Sequence, residues 1–145
     1  MKIALRFLSG ALYMLGFFGA YWIVSLALDR EPPIVYEEAR TLSPNVLPGG
    51  TLEVEFQVFR RRICDSDTTR WVTDSAGERH SIPSFTVGLR LLAGREEYSR
   101  SVVIPEIVAS GPAYYQVRTD YFCNVFHKLF YPIEVTSPPI AFIID

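Results

Sequence analysis

The stretch YYQVRTDYFCN, residues 114–124, alternates with the period of a β-strand. Tyr115, Val117, Thr119, Tyr121 and Cys123 fall on one face, and Gln116, Arg118 and Asp120 on the other. A sheet with one face on a core and one in solvent selects this pattern. Cys123 shares the apolar face, so the sequence turns it inward. The chain has one other cysteine, Cys64.

The same alternation recurs on both sides. In TLEVEFQVF, residues 51–59, Leu52, Val54, Phe56 and Val58 share a face while Glu53, Glu55 and Gln57 take the other. Further runs cover residues 34–39, 84–92, 96–106, 129–137 and 138–145, with Gly88 a possible bulge and Pro132 an edge or bulge position. Asp74 and Gly77 fit the first and fourth positions of a type I turn, so residues 68–82 read as a hairpin carrying Trp71, Val72 and Ile82. The stretch SPNVLPGG, residues 43–50, is turn chemistry. No helical periodicity follows residue 33. With 145 residues the chain suits a single core, and a formal net charge of -2 gives no global field for nucleic acid.

The amino-terminal end differs. Residues 7–28 carry no charge and as a helix would rise about 33 Å, the thickness of a bilayer core. This predicts a short cytoplasmic segment (1–6), a transmembrane signal anchor (7–28), a linker (29–33) opened by Glu31-Pro32-Pro33, and a β domain (34–145) outside the cytoplasm. A cleavable signal peptide ending near Ser25 and Ala27 is the alternative, which would release a secreted or periplasmic binding domain. Gly16 and Ala20, four residues apart, offer a face for helix pairing and hence a homodimer.

Tyr121 two residues before Cys123, with Trp71 in the third β run, resembles the immunoglobulin pattern. That resemblance, over residues 33–145, implies an antiparallel sandwich of seven or eight strands with Trp71 in its core. A jelly roll or small barrel would show the same patterning. The combination also resembles small single-pass proteins of bacteria and their phages. In the immunoglobulin topology the exits of the second and sixth strands lie together, which implies a Cys64–Cys123 disulfide stapling two loops. The arrangement departs from the pattern, because Arg60, Arg61 and Arg62 precede Cys64 and place it past its strand.

For function, the sequence predicts an interaction module, not an enzyme: a scaffold, envelope assembly factor or receptor-like domain with an unknown protein partner, no nucleic acid and no cofactor. The expected binding patch is Arg60, Arg61, Arg62, Asn124 and His127, in loops at one end of the domain. A metal-dependent or hydrolytic enzyme is the competing class. Cys64, Asp65, Asp67, Cys123 and His127 could converge as metal ligands, although no CxxC pair, GxSxG or ordered triad is present. His80 is expected to be an exposed strand residue.

Overall fold

The computed structural model describes residues 2–84 and 93–145, with side chains of the first helix described at Gly10 and from Leu12 onward. The expected strand over residues 84–92, with Gly88, lies outside the described residues apart from Ser84. Helix α1 (Lys2–Leu28) leads into nine strands among the described residues: β1 (Ile34–Thr41), β2 (Asn45–Val46), β3 (Thr51–Arg60), β4 (Asp65–Thr73), β5 (Arg79–Ile82), β6 (Gly94–Val103), β7 (Gly111–Phe122), β8 (Ile133–Thr136) and β9 (Ile140–Ile144). A short helix α2 (Val125–Leu129) separates β7 from β8.

The strands form two sheets. One has the order β1-β3-β6; the other runs β2-β9-β7-β4-β5, with β8 also paired to β7. Both contribute to one core. Leu52, Val54, Phe56 and Val58 of β3 are buried with Val102 of β6, and these meet Val72 of β4, Tyr115, Val117 and Tyr121 of β7, and Ile140, Phe142 and Ile144 of β9. The period-2 faces of residues 51–59 and 114–124 are thus the two inner faces.

The β4–β5 hairpin is built on Asp74. Its carbonyl accepts from the Gly77 amide at 3.0 Å, and Gly77 takes the positive φ of 81° that closes the turn. The Asp74 carboxylate accepts from the amides of Ala76, Glu78 and Ala109 and bonds His80 Nε2 at 2.8 Å. His80 is therefore a half-buried partner of this turn and not the exposed residue expected. These contacts, the Ala109 amide first and His80 next, lower the Asp74 pKa from 3.8 to about 2. A depressed folded pKa stabilises the fold at neutral pH, and that contribution fades as pH falls through about 2. Acid unfolding curves of the wild type and Asp74→Asn should accordingly converge at low pH and separate above about pH 4.

Three sequence expectations are corrected. The first is the immunoglobulin-like sandwich. β2 pairs β9 in parallel, so the larger sheet is mixed and the strand count exceeds seven or eight. Inward residues of β4 are Arg70 and Val72, which sends Trp71 to the outer face instead of the core. The Cys64–Cys123 bond continues the register of neighbouring β4 and β7, whose Asp65 and Phe122 pair beside it, so it lies within one sheet and does not cross between sheets.

The second correction is the membrane span. Among the described residues, no helix is long and apolar enough to cross a membrane. The expected signal anchor over 7–28 falls on that finding. With it fall the bilayer as partner, the cytoplasmic amino terminus with an extracytoplasmic domain, and the likeness to single-pass bacterial and phage proteins. The third is the homodimer through Gly16 and Ala20. Small-residue helix pairing was argued for a helix in lipid, where close backbone packing drives association, and it falls with the span.

Candidate functional site

At one end of the domain four of the five expected patch residues, Arg61, Arg62, Asn124 and His127, hold the end of α1 and the segment after it. Arg62 forms a two-pronged pair with the Asp29 carboxylate at 2.5 and 2.9 Å and also donates to the Glu31 carbonyl. Arg61 pairs with Glu31 at 2.6 Å, and its amide donates to the Pro33 carbonyl at 2.8 Å. The Arg62 hydrogen bond holds the Asp29 carboxyl below the usual range. Arg60, at the end of β3, turns away and pairs with Glu96 at 3.3 Å.

Opposite them stands α2. The Asn124 side chain caps it, accepting from the Phe126 and His127 amides, the arrangement that gives Asn its preference at helix starts. Its amide also donates to the Leu26 carbonyl at 3.0 Å. His127 is 1% exposed and its Nε2 lies 2.8 Å from the Asp29 carbonyl. Tyr131 donates to the Ala27 carbonyl at 2.7 Å while the Arg30 guanidinium sits 3.9 Å over its ring. The last carbonyls of a helix lack intrahelical partners. Here Asn124, Tyr131 and His127 satisfy those at the end of α1 and just beyond it. Sequence reasoning left residues 124–127 as a loop and missed Tyr131. The signal for α2 was the Asn124 cap before a short apolar run.

The metal alternative loses its ligands. Cys64 and Cys123 are bonded to each other with Sγ atoms 2.05 Å apart, and Asp65 and Asp67 are exposed on β4. Asp74, Glu78 and His80 are close enough to hold an ion, yet the Asp74 oxygens are already occupied by the turn.

An open site lies beside this junction, between the two sheets. A cleft of about 430 Å³ reaches from Ile63, Cys64 and Lys128 into the core. Its walls are aromatic: Tyr36 and Tyr98 flank Phe56 with ring centroids 5.8 and 5.4 Å away, and Tyr115 and Tyr121 face them from β7. Arg60, Arg70 and Arg100 line it with Glu96, and Arg100 lies 4.9 Å over the Tyr98 ring. Arg70 donates to the Pro83 carbonyl. Burial pushes the Tyr98 hydroxyl up to about 12 and raises Tyr36, Tyr115 and Tyr121 as well, so all four remain neutral donors at neutral pH.

Comparison with known proteins assigns no family: no family pattern matches the chain, and no curated protein matches it. Among solved structures, the Pseudomonas fluorescens alkylpurine DNA glycosylase AlkC, bound to DNA containing an abasic site analog, is similar with a TM-score of 0.45 and 8% identity. The match covers 85% of this chain and 33% of that one, so this chain spans about a third of the glycosylase's length. That protein is held on DNA; the exclusion of nucleic acid expected above rested on the net charge of -2 alone, which says nothing of a local surface, and is withdrawn. At this level the likeness assigns nothing to the present chain.

Proposed function

We propose that the domain is a non-catalytic binding module and that the inter-sheet cleft is its ligand site. The observation that supports this is the cleft's composition and size. Ligand sites are concave, mostly apolar and aromatic, with a few placed polar groups, in the range of about 300–1,000 Å³. Aromatic walls with tyrosine hydroxyls and guanidinium groups suit a small aromatic ligand bearing an anionic or hydrogen-bonding group. A catalytic role finds less support. Both cysteines are oxidised, His127 holds the α1 junction and His80 holds a turn.

The test uses 1-anilino-8-naphthalenesulfonate, an aromatic anion of suitable size, titrated by its fluorescence. Thr119→Phe fills the cleft from β7, and Ser66→Phe narrows its rim. Each should remove a saturable binding component, weakening it at least ten-fold, while any signal from other apolar surface persists in both variants. Identical titrations for wild type and both variants would reject the cleft as a site.

A further inference from the structure

The outer face of the larger sheet carries a feature that the cleft does not explain. Trp71 stands there near the end of β4, directly opposite Ser81 of β5 on one side and Gln116 of β7 on the other. A tryptophan on an outer sheet face has no core to fill. Its indole Nε1 is buried and has no hydrogen-bond partner among the described residues. Buried indole N–H groups normally find one. Around it lies a shallow groove of about 420 Å³ that includes Thr69, Ser81, Arg79, Arg118 and Asp120.

The charges of this face are balanced. Arg118 is held by Asp120 at 3.0 Å and Glu134 at 2.6 Å. Arg79, exposed at the start of β5, lies with its guanidinium 4.9 Å over the indole ring. A phosphate polymer is held chiefly by a run of uncompensated cations, and this face does not present one. What it presents is a half-buried indole beneath the Arg79 guanidinium, bordered by hydroxyl, amide, carboxylate and guanidinium groups, both donors and acceptors. The negative face of an aromatic ring attracts the C–H face of a pyranose, and the surrounding groups match its ring of hydroxyls.

We propose that this face is a saccharide-binding surface, with Trp71 as the stacking platform and Ser81, Gln116 and Asp120 as hydroxyl partners. Trp71 and the inward Val72 lie on opposite sides of the sheet, and Arg70 borders both the groove and the cleft.

The experiment uses the full chain carrying Trp22→Phe, which leaves Trp71 as the remaining tryptophan of the two. Cellohexaose and chitohexaose are titrated against its fluorescence. One of them should give a saturable change, weakened at least ten-fold in Trp71→Ala when followed by calorimetry, and weakened less in Trp71→Phe, which keeps a ring. Gln116→Ala, whose side chain has no role in the core, should weaken binding several-fold in a chain that melts as the parent does. Absence of saturable binding by either hexasaccharide, or binding that survives Trp71→Ala, overturns the proposal. So does strong, salt-sensitive binding of a twenty-nucleotide oligothymidylate without hexasaccharide binding, which would make the face a nucleic-acid surface.

Discussion

Serine at both Cys64 and Cys123 is expected to lower the unfolding free energy by about 4 kcal/mol. The bond closes a loop with a sequence separation of 59, and chain-entropy arguments give about that figure for a loop of this length. The bond also has a local task. It joins the residue just before β4 to the residue just after β7, and each neighbours one arm of the α1 junction: Arg61 and Arg62 precede Cys64, and Asn124 follows Cys123. Urea unfolding of the double variant should show the loss, and a strong reductant should shift the wild-type melting temperature by on the order of 15 °C. A wild type that melts at the same temperature with and without reductant would show that strand pairing alone holds this edge.

Phe56→Ala is expected to cost about 3–5 kcal/mol. Phe56 is 2% exposed on the central strand of the smaller sheet and sits between the rings of Tyr36 and Tyr98. Removing it deletes buried area and two aromatic contacts, and it enlarges a cleft that the strand framework keeps from collapsing. Phe56→Leu keeps most of the volume and should cost roughly 1 kcal/mol. Equal losses in the two variants would mean that the aromatic contacts, and not the filled volume, carry the residue's contribution.

Much of the β architecture could be read from alternation. The inner faces of residues 51–59 and 114–124 follow from their period, and the turn at Asp74 follows from its residues. The sheet assignment could not be read in the same way. Period 2 places Trp71 and Val72 on opposite faces, but only the partner strands decide which face is inner. Once Val72 is buried, Trp71 must lie outside, and the immunoglobulin likeness built on it fails. β2 was hidden because two residues, Asn45 and Val46, are too few for a pattern and sit among turn formers. The cleft left a trace that was overlooked. Arg60, Arg70 and Arg100 each lie two residues from a buried valine, Val58, Val72 and Val102. Three arginines on core-facing positions indicate that the two faces do not close over one another there. Of the expected patch, Arg61, Arg62, Asn124 and His127 contact residues 26–31 of this chain, and Arg60 pairs with Glu96 instead. Their partner could not be read, because the contact between residues 26–33 and residues 61–62 and 124–131 joins segments far apart in sequence.

The junction of Arg61, Arg62, Asn124, His127 and Tyr131 fixes the end of α1 to the domain. Limited trypsin digestion followed by intact mass tests it most directly, because Arg30 is followed by Glu31 and both are held in the junction. The wild type should resist cleavage after Arg30, and the Arg62→Ala, Asn124→Ala double variant should be cut there at least ten-fold faster while the β domain stays intact. Equal, rapid cleavage of wild type and variant after Arg30 would contradict it.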